Sequence, residues 1–337
     1  MVTAEAIKIR KVMNEMGREK RPFFFIVDFE MEKPVIWPLD AIPSYIVADM
    51  PLFSNIEGEG AVRQGLAAPR EAAPREVKSL EVTPVAWEKY LEAYNKVLAG
   101  LNRGNSYLVN LTFPTSLGGR PDLQAIFYAS RARYRLLWHD RFVLFSPEIF
   151  IRTEGNTISS FPMKGTIDAS VPDAQRKILE DRKEEAEHNT IVDLIRNDLS
   201  MVGEDVYVKR YRYIDKIRTS DRELLQVSSE ISARLPDDWR EHPGDIIMPL
   251  LPAGSVSGAP KKETLRIIGE SEMASRGWFT GVFGVFDGER IDSGVMIRYI
   301  EHNEHSYVYR SGGGITALSD PHKEYSELIS KVYVPVG

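Results

Sequence analysis

Apolar residues in the first third of the chain form short runs of strand length and one strongly periodic helix. Phe23–Phe29 is an aromatic and β-branched run typical of a strand. After Pro84, apolar residues recur at steps of three and four up to Leu101, which predicts an amphipathic helix. Arg103-Gly104-Asn105 closes that helix, and Ser106–Phe113 is predicted as its partner strand. This part of the chain therefore predicts a mixed helix and strand fold.

Between these elements the hydrophobic pattern is lost. From about residue 56 to 83 the sequence is rich in Gly, Ala, Pro, Arg and Glu, a composition that does not sustain a packed element. We expect a mobile loop inside one domain rather than a linker between two domains.

The next apolar run, Arg141–Ile151, is interrupted by Ser146-Pro147-Glu148. Proline cannot donate a hydrogen bond to a central ladder, so the run predicts two strands joined by a bend. Glu148 is then an acid at a bend between apolar strands. Judged alone, it is either a surface turn residue or a carboxylic acid placed for chemistry.

Two predicted helices have a Glu-x-x-Glu pattern on an otherwise apolar face. In the helix over 183–199, Glu184 and Glu187 lie one turn apart, and the C-terminal helix after Asp320-Pro321 repeats this with Glu324 and Glu327. Each pair could be a solvated charged face. If the helices meet, four carboxylates converge and would require a hard cation such as Mg²⁺ between them.

The remaining pattern predicts a turn into a helix, a hairpin and a glycine-rich strand end. Pro252–Lys261 is a Gly/Ser-rich turn that enters a helix near Pro260, and His242 precedes it. The apolar runs on either side of Asp287-Gly288 predict a hairpin. A later strand runs into Gly312-Gly313-Gly314, where a ligand could approach the backbone closely.

One lysine stands between a rigid proline and a permissive glycine, in the segment Phe161–Thr166. Taken alone, Lys164 is most simply a solvated turn residue. The acid at Glu148 and the two Glu-x-x-Glu helices make a second interpretation possible, in which Lys164 is a nucleophile.

Composition narrows the function further. The 337 residues carry a net charge of -6 and no cysteine, which argues against a nucleic-acid partner and excludes disulfides and thiolate chemistry. No signal-peptide pattern and no run of about 18 apolar residues occurs. We therefore expect a cytoplasmic protein with neither nucleic acid nor membrane as a partner.

Taken in order, these motifs resemble the chorismate-utilising enzymes, which include anthranilate, aminodeoxychorismate, isochorismate and salicylate synthases. The resemblance covers about residues 84–334 and rests on five motifs: Ser-Gly-Ala-Pro-Lys, Glu-x-x-Glu-His, Ile-Val-Asp-Leu-Ile-Arg-Asn-Asp, Gly-Gly-Gly-Ile and the final Glu-x-x-Glu. The lysine of Pro-x-Lys-Gly-Thr is similar to component I of aminodeoxychorismate synthase, whereas anthranilate synthases usually have alanine there.

The resemblance implies an α/β fold of the α+β type. In it, two large, mainly antiparallel β-sheets pack together, with helices outside and the active site between the sheets. Residues 1–337 would form a single chorismate-binding catalytic domain. Within it, residues 1–83 would be an N-terminal sheet portion containing the loop, and residues 84–334 the family core.

The resemblance also implies roles for individual residues. Lys164 would attack C2 of chorismate as a neutral amine of lowered pKa, and Glu148, with a raised pKa, would protonate the leaving C4 hydroxyl. Glu187 and Glu327 would hold Mg²⁺, with Glu184 and Glu324 in support. The residues expected to bind or orient the substrate are His242, Ser255, Arg298, Gly312, Gly314 and Lys331.

Two positions depart from the family pattern. Leu108 stands where the water-adding members have a lysine base, which argues against isochorismate and salicylate synthesis. Aminodeoxychorismate synthases more commonly have glutamine there. Ile167-Asp168 replaces the Arg-Pro that follows Lys-Gly-Thr in many relatives.

The expected reaction needs ammonia, and a chain without cysteine has no thiol with which to hydrolyse glutamine. A separate glutamine amidotransferase subunit is therefore expected, as is a separate aminodeoxychorismate lyase that would make 4-aminobenzoate. The Leu-Leu-Glu-Ser tryptophan motif is not found before residue 84, which favours folate over tryptophan biosynthesis. The alternatives are anthranilate synthase component I and a non-catalytic chorismate-binding scaffold.

Overall fold

The computed structural model describes residues 3–56, 61–62, 81–218, 223–303 and 306–333. Most of the loop predicted at 56–83 lies outside these residues, so its mobility stays a prediction. The helices of the described chain are α1 (Ala4–Arg18), α2 (Trp87–Asn102), α3 (Leu123–Ala129), α4 (Ala174–Glu180), α5 (Arg182–Leu199), α6 (Pro243–Ile247), α7 (Gly254–Ser257), α8 (Lys261–Ser271) and α9 (Pro321–Ser330).

The strands form two large sheets in which each ladder is antiparallel. They are β1 (Phe23–Val27), β2 (Val35–Pro38), β3 (Ile46–Asp49), β4 (Phe53–Ser54), β5 (Ala61–Val62), β6 (Val82–Thr83), β7 (Leu108–Leu117), β8 (Tyr134–Trp138), β9 (Phe142–Ser146), β10 (Ile149–Glu154), β11 (Thr157–Ser160), β12 (Met163–Asp168), β13 (Glu204–Arg218), β14 (Glu223–Arg234), β15 (Gly258–Ala259), β16 (Val282–Phe286), β17 (Ile291–Val295), β18 (Tyr299–Asn303) and β19 (Ser306–Ile315).

The first sheet has the strand order β12-β14-β11-β10-β17-β16-β1-β2, with β13 paired to β14. The second has the order β15-β7-β19-β18-β9-β8-β3-β4-β5, with β6 paired to β7. The two sheets pack face to face, because one apolar cluster joins Phe24 and Phe283 of the first to Leu136 and Leu144 of the second. The predicted architecture of two antiparallel sheets is confirmed.

Strand β1 is apolar throughout because both of its faces are buried. Phe24 and Ile26 point between the sheets, whereas Phe23, Phe25 and Val27 pack against helices on the outer face. All five side chains are fully buried. A strand covered on both faces reads as a continuous apolar run instead of an alternating one.

Helices cover the outer face of each sheet, as predicted. Helices α1, α5 and α6 lie on the first sheet, and α2, α8 and α9 lie on the second. Within the described residues, none of the helices combines the length and the apolarity needed to cross a bilayer.

Most predicted elements are found, with shifted ends. Helix α2 begins at Trp87 with Ala86 as N-cap, three residues after the predicted start at Pro84. The predicted turn Pro252–Lys261 contains the one-turn helix α7, and Pro260 is the N-cap of α8, next to the first residue of that helix as predicted. The bend between β9 and β10 and the hairpin at Asp287-Gly288 are confirmed.

Helix α1 and the long β13–β14 hairpin were not predicted. The buried residues of α1 recur at steps of three and four, at Ala6, Ile9, Met13 and Met16, so its apolar face was present in the sequence. Charged residues on β13 instead obscure its strand pattern, as is common at a sheet edge; among the described strands, β13 pairs with β14 alone.

Candidate active site

A cleft of about 170 Å³ opens where strands β7, β12 and β19 meet helices α5 and α7. Most of the predicted catalytic and substrate-binding residues line it, although they come from widely separated parts of the sequence. These are Glu148, Lys164, Ser255, Arg298, Gly312, Gly314 and Lys331. The fold therefore brings the predicted acid, the predicted nucleophile and the predicted anion-binding groups to one cavity.

Glu148 follows the bend after β9, where its side chain is buried and accepts a short hydrogen bond from the Ser255 hydroxyl. Burial raises the pKa of Glu148 to about 6, although Ser255, Arg298 and Lys331 act in the opposite direction. The predicted raised pKa is confirmed in direction. Its cause is removal from water rather than neighbouring acids.

Lys164 lies on β12, and its ammonium Nζ is 2.7 Å from Oε2 of Glu187 on α5. Burial alone would lower the pKa of Lys164, but the carboxylates of Glu187, Glu184 and Glu327 together raise it. The predicted lowered pKa is therefore wrong for this arrangement. Lys164 is an ammonium ion that neighbouring carboxylates stabilise.

Lys331 also lines the cleft and shows the opposite balance. Its Nζ contacts Glu327 Oε1 at 2.7 Å and donates to the Gly312 carbonyl at 2.8 Å. Burial lowers the pKa of Lys331, and the positive charges of Arg298 and Lys164 lower it further, against the opposing effect of Glu327. Two lysines in one cavity thus have pKa values displaced in opposite directions.

The predicted metal ligands lie behind these lysines. Glu184 and Glu187 are on α5, and Glu324 and Glu327 are on α9, with the Glu184 carboxylate packed against Gly165. Burial raises the pKa of Glu184, and the negative charges of Glu187 and Glu327 raise it further. These three carboxylates therefore interact electrostatically. Hence α5 and α9 bring their acids to one end of the cleft.

The kind of donor fits a hard divalent cation, since the ligands on offer are carboxylate oxygens with excess negative charge. In the ranges that the structure describes, no three acidic or histidine side chains are close enough to enclose an ion. Glu187 and Glu327 are instead each paired with a lysine ammonium. Mg²⁺ binding at these residues stays a prediction.

The glycine run of β19 forms a close-packed wall of the cleft. A Cβ at Gly314 would lie 3.0 Å from Cδ1 of Leu108 and 3.6 Å from Nζ of Lys164. The absent side chain therefore leaves a space between the lysine and the leucine. Leu108, which departs from the family pattern, covers the apolar side of that space.

His242 does not reach the cleft. Its ring nitrogens lie 3.9 Å from Asp238 and 3.7 Å from Asp245, and Asp245 is itself paired with Arg10 of α1. Helix α6 and the 3-10 turn Met248–Leu250 separate His242 from α7 and direct it to the outer face. The expected contact of His242 with substrate therefore lacks the geometry it requires.

Four further polar residues line the cleft and were not predicted: Asn110, Thr280, Arg310 and Ser311. Thr280 and Arg298 adopt left-handed backbone conformations, with φ of 60° and 54°. Such conformations are strained for residues other than glycine, and strained residues cluster at functional sites. A polar Asn110 within an apolar strand was the one signal visible in the sequence.

Comparison with known proteins agrees with this geometry. The chain matches the family model of chorismate binding enzymes over residues 53–336. An uncharacterised PabA-like protein of Pasteurella multocida is 45% identical over 324 residues, covering 96% of this chain and 97% of that protein.

Two characterised enzymes are also similar. Aminodeoxychorismate synthase component 1 of Salmonella typhimurium is 34% identical over 260 residues, covering 72% of this chain and 56% of the relative. The crystal structure of anthranilate synthase component I from Streptococcus pneumoniae superposes with a TM-score of 0.64 at 25% identity. It covers 77% of this chain, which spans 59% of that longer one.

Proposed function

Because this chain belongs to the family of chorismate binding enzymes, we propose that it aminates chorismate at C4, as component I of an aminodeoxychorismate synthase. The resemblance seen in the sequence motifs is thereby confirmed at the level of the family, and the chain is an enzyme that acts on chorismate. The product would be 4-amino-4-deoxychorismate, a precursor of 4-aminobenzoate and folate.

One observation supports this choice within the family: Lys164 lines the same cleft as Glu148, Arg298 and Lys331. An amine nucleophile, a carboxylic acid and two cations match the needs of a substrate with two carboxylates and a hydroxyl leaving group. The similarity to the Salmonella enzyme supports the same assignment.

In the proposed reaction, the Lys164 ammonium first gives one proton to solvent, and the lone pair of Nζ then forms a bond to C2 of chorismate as the C4–O bond breaks. Glu148 gives its proton to the departing oxygen, which leaves as water. Ammonia then forms a bond to C4 while the C2–N bond to Lys164 breaks, and the lysine is regenerated. Ser255 would hold the Glu148 carboxyl in place through the short hydrogen bond between them.

The substrate would be oriented by the cations of the cleft. Arg298 would bind the enolpyruvyl carboxylate through its planar guanidinium, with Lys331 and the backbone of Gly312 and Gly314 beside it. The unpredicted Asn110 and Arg310 add hydrogen-bond donors to the same wall.

We further propose that Glu187 and Glu327 hold Mg²⁺, with Glu184 and Glu324 as direct or water-mediated support. A bound Mg²⁺ would supply positive charge for binding the ring carboxylate of chorismate. The same charge would offset the carboxylates that stabilise the Lys164 ammonium. Ammonia would come from a glutamine amidotransferase subunit, and a separate lyase would act on the product.

The test is incubation of the purified chain with chorismate, MgCl₂ and ammonium, with products separated by liquid chromatography and identified by mass. We expect 4-amino-4-deoxychorismate, no product with EDTA, and 4-aminobenzoate only after a lyase is added. Fluorescent anthranilate without a lyase would instead identify an anthranilate synthase component I. Chorismate binding without turnover would identify a scaffold.

A further inference from the structure

Arg276 is a fully buried arginine directly behind the wall of the cleft. Its side chain is 1% exposed and forms a two-point ion pair with Glu272 on the C-terminal side of α8. Nε donates to Glu272 Oε2 at 2.9 Å, and Nη2 donates to Oε1 at 2.6 Å. This pair uses only one edge of the planar guanidinium, so further N–H groups remain for other acceptors.

The remaining donors reach three separate segments of the chain. Nη2 donates to the Asn110 carbonyl of β7 at 2.6 Å, and Nη1 donates to the Val256 carbonyl of α7 at 2.7 Å. Nη1 also lies 3.3 Å from the Thr280 hydroxyl, just before β16. Asn110, Val256 and Thr280 all line the cleft. The rigid guanidinium of Arg276 therefore connects three wall segments of the cleft, on the side away from the cavity.

Glu272 and the N-terminal part of the chain fix this group in turn. Glu272 Oε1 accepts from the backbone N–H and the hydroxyl of Thr112, at 2.9 and 3.0 Å. The Glu30 carboxylate accepts from the backbone N–H groups of Arg276 and Gly277, at 2.9 and 3.0 Å. The Arg276 guanidinium also lies 4.4 Å from the centre of the Phe29 ring.

We propose that Arg276, held by Glu272, is a positioning residue of the active site that fixes Asn110, Val256 and Thr280 relative to one another. It touches the walls of the cleft and not the substrate. This inference rests on the proposed function, because its consequence is measured as chorismate turnover. The inference also gives a role to Phe29 and Glu30, which hold Arg276 and lie outside the family match at residues 53–336.

Lysine cannot replace arginine in this role. An ammonium group could keep the ion pair with Glu272, but it is a compact point charge and cannot span acceptors on β7, α7 and the Thr280 segment together. Displacing a wall of an active site by about 1 Å costs on the order of 100-fold in rate. Arg276→Lys should therefore keep the contribution of the ion pair to stability while losing the contacts that position the cleft walls.

A second buried ion pair provides the matched control. Arg135 is fully buried, pairs with Asp49, and donates to the carbonyls of Phe127 and Ser130 at 3.3 and 2.7 Å. None of these four residues lines the cleft. Arg135→Met should thus destabilise the protein as Arg276→Met does, without moving the active-site walls.

The experiment measures melting temperature, kcat and KM for chorismate with ammonium and MgCl₂ for the wild type and four variants. The variants are Arg276→Lys, Arg276→Met, Glu272→Gln and Arg135→Met. We expect kcat/KM to fall about 100-fold in both Arg276 variants, with a raised KM for chorismate. Glu272→Gln, which keeps the hydrogen-bond acceptor, should give a smaller loss. Arg135→Met should lower the melting temperature while KM stays within about twofold of the wild type.

The outcomes are separable. If Arg276→Met does not fold, Arg276→Lys and Glu272→Gln decide. The inference is overturned if folded Arg276 variants keep wild-type kcat/KM, or if Arg135→Met changes KM as much as they do. A wild type that neither binds nor converts chorismate would overturn the proposed function, and this inference with it.

Discussion

Two groups of charges lie at the cleft and are built differently: one is fully buried behind its wall, and the other is partly exposed within it. The scaffold pair is Arg276 and Glu272. Their charges form a two-point ion pair with each other, and their remaining hydrogen bonds go to backbone carbonyls and a hydroxyl. The cavity cluster consists of Lys164, Lys331, Glu184, Glu187 and Glu327. It has three carboxylates for two ammonium groups.

The difference is visible in protonation. In the cavity cluster the pKa of Lys164 is raised and that of Lys331 is lowered, while the pKa of Glu184 is raised. The two flexible lysines neutralise only part of the carboxylate charge around them, so a bound cation or an anionic substrate would change the net charge of the cluster. A planar arginine holds geometry instead. The cavity cluster therefore has protonation states that can change, whereas the scaffold pair fixes the positions of the groups around it.

The largest effect is expected at Lys164. Lys164→Ala removes the proposed nucleophile, so chorismate amination should fall at least about 10³-fold while chorismate binding is retained. Turnover with ammonium and calorimetric binding of chorismate measure the two quantities. Lys177→Ala, at an exposed lysine on neighbouring α4, is the control and should be unaffected. Near-normal amination by Lys164→Ala would show that no covalent step occurs.

The carboxylates of the cavity cluster should control the response to Mg²⁺. Glu187→Gln and Glu327→Gln should each raise the Mg²⁺ concentration for half-maximal turnover by about 10- to 100-fold, because each removes a charged oxygen ligand. Glu185→Gln is the control, since Glu185 is on the same helix but pairs with Arg212 at 3.0 Å. An unchanged Mg²⁺ titration in both variants would rule out these residues as ligands.

Glu148 makes a prediction about stability and pH. Burial raises the pKa of Glu148 from its ordinary value of 4.5 to about 6, so the folded state binds the proton more tightly. Stability is then lost as pH rises from about 4.5 through 6, by about 2 kcal/mol. Glu148→Gln imitates the protonated acid, so above pH 7 it should exceed the wild type in stability by about that amount.

Urea denaturation at pH 4 and pH 8 measures this difference, which should vanish at the lower pH. Ser255→Ala is a useful companion, because the Ser255 hydroxyl opposes the raised pKa of Glu148 and its loss should raise that pKa further. A Glu148→Gln variant equally stable to wild type at both pH values would contradict the burial effect.

The smallest effect is expected at the surface. Arg266 on α8 pairs with Glu263 at 3.0 Å and Glu270 at 2.7 Å, but all three side chains are substantially exposed. Arg266→Ala should change the free energy of unfolding by less than about 1 kcal/mol and leave kcat and KM unchanged, because solvent screens such pairs. A larger loss would mean that ion pairs in this helix matter regardless of burial.

Much of the fold followed from local patterns. The strand break at Pro147, the turn at Asp287-Gly288 and the start of α9 at Asp320-Pro321 depend on backbone geometry over a few residues, and all three are found. Helix α1 was missed although its apolar periodicity was present. The pairing of strands from distant parts of the chain could not be worked out from periodicity, and came only from the resemblance.

Most of the predicted site residues line one cleft, but contacts between distant parts of the chain could not be predicted from the sequence. His242 was expected near the substrate because of the resemblance to the family, but an intervening helix and turn separate it from the cleft. Arg276 received no role, because nothing around it in the sequence reveals acceptors on β7 and α7.

The sequence by itself determined which chemical groups are present and how they are spaced on their own elements: Glu184 and Glu187 one turn apart on α5, and Lys164 beside a glycine on β12. Only the tertiary structure decided which of these groups meet and whether they are charged. Helical and strand periodicity arise from neighbouring residues. The pKa of Lys164 instead depends on burial and on Glu327, nearly half the chain away.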